Sequence, residues 1–184
     1  YKERLGRSMR RNVEYYPRRL FKSHACEFRQ VEAAELESAF DALVALHVRR
    51  WAEEGEIGSL TDRRFSQFLG DVIRASHADG CLRMWTLSID GRIEAALVGF
   101  LDKGVLHYFQ AGYNPDFRKD DLGTVMVALS IRACCDDPSV RAFDFLGGGA
   151  AYKEMWARET RQTVLGEASR PNLRSLAYDS VAQV

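Results

Sequence analysis

The sequence predicts an α/β domain: one mixed, mostly antiparallel sheet with helices on both faces. Three observations predict it. Two tight-turn dipeptides, Asp90-Gly91 and Lys103-Gly104, join three strand-like runs into a meander. Two amphipathic helical periodicities precede that meander. A helix and a short apolar strand follow it, and such a strand–helix–strand crossover brings parallel pairing into an otherwise antiparallel sheet.

The elements follow in order. Residues 1–20 read as helical until Pro17 interrupts. Ala25 to Val31 reads as a short strand. Leu36, Phe40, Leu43, Leu46, His47 and Trp51 recur at helical spacing over about 33–54, and Gly55 and Gly58 end that helix. Asp62 is placed to cap a second helix with Phe65, Phe68, Leu69, Val72 and Ile73 on its apolar face, closed by Gly80. The meander strands are Cys81–Ile89, Ile93–Leu101 and Val105–Tyr113. The run Ala95-Ala96-Leu97-Val98 predicts burial on both faces. Leu122 to Cys135 reads as a helix stopped by Asp136-Asp137-Pro138. Val140 to Leu146 reads as a strand, Ala150 to Arg158 as a short helix and Gln162 to Ala168 as a last strand. The predicted order is β-α-α-β-β-β-α-β-α-β.

The chain has 184 residues, enough for a sizeable core, and its 26 Lys/Arg balance 26 Asp/Glu. No global field therefore argues for a nucleic-acid partner. The first 22 residues are locally basic (Lys2, Arg4, Arg7, Arg10, Arg11, Arg18, Arg19, Lys22), which suggests a solvated face or a contact with an anionic substrate or RNA. Cys26, Cys81, Cys134 and Cys135 show no metal-ligand spacing, so no metal is expected and the thiols read as reduced, mostly buried and cytoplasmic. No apolar run approaches membrane-spanning length. The chain opens on Tyr1, and the expectation is the C-terminal portion of a longer protein: a basic arm over 1–24, the domain over 25–170 and a tail over 171–184.

Three stretches carry a narrower likeness: Leu46-His47-Val48-Arg49-Arg50-Trp51; Gln110-Ala111-Gly112-Tyr113-Asn114-Pro115; and Phe143-Asp144-Phe145-Leu146-Gly147 followed by Tyr152-Lys153-Glu154-Met155-Trp156. With the element order, they resemble the GNAT acyltransferase fold. Within it they are similar to the acetyltransferases associated with bacterial cellulose and exopolysaccharide synthesis, relatives of the Fem-type aminoacyltransferases that often carry two GNAT units in tandem. The resemblance spans residues 25–168. It implies an acyltransferase of the bacterial cytoplasm that moves an acetyl group from acetyl-CoA to an amine or hydroxyl of a small-molecule or saccharide acceptor, with an N-terminal GNAT-like half as a further partner. Its alternatives are a Fem-like enzyme using aminoacyl-tRNA and a non-catalytic GNAT-like scaffold.

The resemblance also implies site residues. Donor phosphates are expected at the helix start after the fourth strand, on the amides of Leu122, Gly123, Thr124 and Val125, with Arg118 neutralising charge. The family's Gln/Arg-x-x-Gly-x-Gly/Ala loop is here Asp121-Leu122-Gly123, and Asp121 reads as the helix's own cap, a carboxylate that repels phosphate. The fourth strand lacks the Glu that many GNAT enzymes use as base. His107, Tyr108 and Gln110 are its polar candidates, and His107 has the most suitable intrinsic pKa. Asp144, expected to be buried, is a candidate to orient or deprotonate the acceptor. Tyr152 is the candidate acid for the leaving thiolate, and Lys153 a candidate oxyanion or phosphate partner. Arg50 and Trp51 are expected to line the acceptor cleft. The glycine run at 147–149 has no nucleotide-binding spacing and reads as a turn that leaves room for a ligand.

Overall fold

The computed structural model describes residues 1–148, 151–157 and 159–162. The meander forms as its turns dictate. β2 (Leu82–Ile89), β3 (Arg92–Asp102) and β4 (Val105–Tyr113) are joined at Asp90-Gly91 and Lys103-Gly104. All four turn residues have positive φ, the geometry that matches the twist of the flanking strands. β1 (Cys26–Gln30) adds antiparallel to β2, and β5 (Ala142–Asp144) adds parallel to β4, giving the order β1-β2-β3-β4-β5. The crossover to β5 is α4 (Leu122–Asp136).

The sheet separates two apolar layers. Trp85, Leu87, Leu97 and Leu106 pack with α4 and with α1 (Arg7–Ser23) on one face. Met84, Ala96 and Val98 pack on the other with α2 (Leu36–Glu53) and α3 (Arg63–Ala78). Ala95 to Val98 are fully buried, as a strand covered on both sides must be. Asp62 caps α3 by accepting from the amides of Arg64 at 2.7 Å and Phe65 at 3.3 Å. α2 seats directly on β4 because Gly112 has no side chain: a Cβ there would lie 2.6 Å from the His47 amide nitrogen and 2.8 Å from the Leu43 carbonyl oxygen.

Several expectations are corrected. Pro17 does not end the first helix; α1 runs through it to Ser23. The lost hydrogen bond is outweighed by burial of Met9, Val13 and Leu20 along one face. The basic residues 1–24 thus include a helix docked on the core. Phe68 is exposed rather than part of the α3 apolar face, and Cys81 and Cys135 are exposed while Cys134 is buried. Asp144 is not buried. β5 is three residues long and, among the described residues, pairs only with β4, so the carboxylate stays in water. The predicted short helix forms as α5 (Ala151–Trp156). Gly149, Ala150 and Arg158, the predicted last strand beyond Gln162, and the tail lie outside the described residues.

Candidate functional site

β4 pairs with β5 only at Val105–Ala142, Leu106–Phe143 and His107–Asp144. From Tyr108 to Tyr113 the β4 edge has no partner strand among the described residues. The β3–β4 register also breaks there. Val98 faces Gln110 and Gly99 faces Tyr108, leaving Phe109 as an extra residue. Such a bulge bends the strand and leaves backbone groups unpaired. β4 therefore peels away from β5 and opens a slot.

The slot leads to the start of α4. Asn114 shapes the turn after β4, accepting from the Asp116 amide at 3.0 Å and donating to Glu94 Oε2 at 2.7 Å. A 3-10 segment (Pro115–Asp120) and Asp121, at φ 48, complete the approach. The first bond into α4 runs from the Val125 amide to the Asp121 carbonyl at 3.0 Å. Val125 is therefore not a free donor, contrary to expectation, and its side chain is fully buried. The amides of Leu122, Gly123 and Thr124 precede that bond. Asp121 does not cap the helix with its side chain, because capping needs an extended backbone and Asp121 is left-handed.

Arg50, Glu54, Tyr113, Pro115, Arg118, Asp121, Leu122 and Gly123 line a cavity of about 320 Å³ at this helix start. A Cβ on Gly123 would lie 2.9 Å from Tyr113 Cε1, so the missing side chain makes room for the Tyr113 ring. Arg50 lines this cavity. α2 crosses β4 at Gly112, which carries its next turn over Tyr113. The guanidinium sits 4.8 Å from the Tyr113 ring centroid and 5.0 Å from that of Trp51, and donates to Glu54 Oε1 at 3.3 Å. Trp51 is half-buried, and its indole nitrogen donates to His47 Nε2 at 3.0 Å. His47 is 1% exposed. Burial first, and Arg50 second, lower its pKa to about 4. Sequence reading placed His47 only on an apolar helix face; its i, i+4 spacing to Trp51 is the signal that pairs the two rings.

At the other end of the slot, Tyr108 stacks on Phe143 at 6.1 Å and tilts against Phe145 at 5.7 Å. Burial pushes its phenol well above the usual tyrosine range, and the adjoining Tyr152 hydroxyl adds to the shift. Tyr152 itself is 38% exposed. Lys153 donates to the carbonyls of Leu146 and Gly147, so its ammonium fastens the loop after β5. Trp156 is buried on Phe145. His107 Nδ1 lies 3.7 Å from Asp144 Oδ2, and Asp144 Oδ1 accepts from the Leu146 amide at 2.8 Å. Gln110 donates to Ser59 Oγ at 3.1 Å, which ties β4 to the α2–α3 connection. The structure thus brings together Tyr108 with Tyr152, His107 with Asp144, and Arg50 with Arg118, Leu122 and Gly123. Lys153, Trp51 and Gln110 are engaged in holding the fold.

The family described as acetyltransferase (GNAT) domain matches residues 7–154. Solved structures share the fold. A possible acetyltransferase from Clostridium difficile 630 superposes with a TM-score of 0.58 at 8% identity, covering 79% of this chain and 99% of that one. A predicted acetyltransferase from Clostridium acetobutylicum, solved with acetyl-CoA, gives 0.57 at 12% identity, covering 77% and 96%. A GCN5-related N-acetyltransferase from Ralstonia eutropha JMP134 gives 0.54 at 16% identity, covering 80% and 98%. No curated protein matches the chain. No helix among the described residues is long and apolar enough to cross a membrane.

Proposed function

The chain belongs to the GNAT acetyltransferase domain family, as an N-acetyltransferase-like enzyme with acetyl-CoA as donor, and from that premise we propose how its own residues carry out the transfer. The observation that carries the reading is the β4 edge that has no partner strand among the described residues and runs from the Tyr108–Tyr152 pair to the cavity at the start of α4. The donor's amide-bearing arm lies along that edge and takes up its free backbone groups, as an added strand would. The diphosphate reaches the cavity lined by Arg50, Arg118, Leu122 and Gly123, where the free amides of the α4 start lie. Two guanidinium groups and free helix-start amides face one space and favour the anion, against the Asp121 and Glu54 carboxylates in the same lining.

The thioester then lies by Tyr108 and the Phe109 bulge. An acceptor amine or hydroxyl attacks the carbonyl carbon; a bond to nitrogen or oxygen forms and the carbon–sulfur bond breaks. Tyr152 donates its proton to the departing thiolate and recovers one from solvent. His107, oriented by Asp144, takes the acceptor's proton. The motif resemblance supports a saccharide amine or hydroxyl as acceptor, in bacterial polysaccharide or cell-envelope synthesis. Calorimetry with acetyl-CoA and a thiol-release assay over amino sugars test the reading. Tyr152→Phe is expected to lower kcat about a hundredfold with donor affinity unchanged. Absence of any heat or thermal shift at millimolar acetyl-CoA defeats the proposal.

A second reading, transfer from an aminoacyl-tRNA, has its own observation. Arg7, Arg11, Arg18 and Lys22 share the outer face of α1, and none makes an ion pair or side-chain hydrogen bond among the described residues.

A further inference from the structure

We infer that Arg50 is the residue that grips the donor's diphosphate and makes this site select a full coenzyme A thioester over its truncated pantetheine form. The inference rests on the donor placement proposed above and adds to it a residue that nothing in the motif pattern assigns there.

The helix start alone is a reduced phosphate site in this chain. Val125 has already given its amide to Asp121. The space beside Gly123, where a phosphate oxygen would approach closely, holds the Tyr113 ring. What the cavity has instead is a guanidinium held in a fixed pose. Arg50 lies over Tyr113 at 4.8 Å and Trp51 at 5.0 Å, and its side chain is 26% exposed. Trp51 is itself fixed by its bond to the buried His47, and the backbone at Gly58 closes over both rings: a Cβ there would lie 2.6 Å from each. The chain of contacts Gly58–His47–Trp51–Arg50–Tyr113–Gly123 runs from the α2–α3 connection to the first turn of α4. A planar, pre-placed fork of donors loses little freedom on meeting a diphosphate and matches its oxygens in pairs.

One further cation, Arg118, and two carboxylates, Glu54 and Asp121, share the cavity lining with Arg50. Arg118 is 76% exposed and only loosely paired, at 3.7 Å from Glu53 Oε2. It adds charge but no fixed geometry. Arg50's present partner, Glu54, is exposed and bonded through a single contact at 3.3 Å. Such a surface pair is weak and yields to a more highly charged anion.

The test compares two donors on the full chain: acetyl-CoA, and S-acetylpantetheine, which lacks the diphosphate. Calorimetric Kd and the KM for thiol release are measured for the wild-type protein, Arg50→Gln, Arg50→Lys and Glu54→Gln. Arg50→Gln is expected to weaken acetyl-CoA by roughly tenfold to a hundredfold and to leave S-acetylpantetheine unchanged. Arg50→Lys restores only part of the loss, because an ammonium neither stacks nor forks. Glu54→Gln keeps or tightens acetyl-CoA binding. The inference is overturned when Arg50→Gln binds acetyl-CoA within twofold of wild type, or loses both donors equally while its melting temperature is unchanged. A wild-type protein that binds neither donor removes the donor placement itself, a result distinct from a wild type and an Arg50→Gln that bind acetyl-CoA alike.

Discussion

His47 shows how much chemistry a single buried side chain settles. Its Nε2 accepts the Trp51 indole proton, so the neutral ring carries its own proton on Nδ1, which has no partner. The folded protein resists charging this ring until about pH 4, whereas an unfolded chain charges it near 6.5. Between those values the unfolded state binds the extra proton, so stability falls as the pH is lowered through that window and is level above it. Melting temperatures across pH 4–7 are expected to show this decline, and His47→Gln to flatten it. Little of this was legible in the sequence, where His47 reads as one more apolar-face position. Arg50 was legible as a candidate site residue, but not its place in the cavity at the start of α4, because that depends on where α2 crosses β4. Asp144 was misjudged for a related reason: apolar neighbours in sequence do not bury a carboxylate on a strand with one open side.

At the scale of elements, close seating does what side-chain chemistry alone does not. Gly112 lets α2 lie against β4, and Gly123 lets the Tyr113 ring lie against α4. Their consequences differ. The atoms facing Gly112 are helix backbone, which cannot move aside. Gly112→Ala is expected to lower stability by about 1–3 kcal/mol, read as a drop in the urea midpoint. It is also expected to shift Arg50 away from the cavity, read as a rise in donor KM. The strands and their turns were readable because Asp-Gly and Lys-Gly demand positive φ, and Asp62 was readable as a cap from its place before an apolar periodicity. The persistence of α1 through Pro17 was not, since a local penalty says nothing about the tertiary burial that outweighs it. Nor was the bulge at Phe109, which is a mismatch between two strands and has no signature in either one.

Over the whole molecule, the balanced formal charge conceals an uneven distribution. Arg7, Arg11, Arg18 and Lys22 extend for about 22 Å along the outer face of α1, with Tyr15 exposed between them. Arg7–Arg11 and Arg18–Lys22 each lie about 6 Å apart along the axis, and the two pairs are separated by about 10 Å. If α1 carries an RNA contact, binding of a labelled tRNA weakens steeply with added salt, and exchange of these four residues for Gln removes it while acetyl-CoA binding persists. Salt-independent or absent RNA binding leaves α1 with a purely structural role.

The detached rim of β4 has a cost that appears only when the donor is missing. Free strand margins recruit other backbones, and here the margin from Tyr108 to Tyr113 is unpaired among the described residues and includes exposed Phe109. In the proposed donor placement, occupancy by the thioester shields it. Light scattering during storage or heating is therefore expected to rise soonest in preparations stripped of coenzyme and to be suppressed by adding it back.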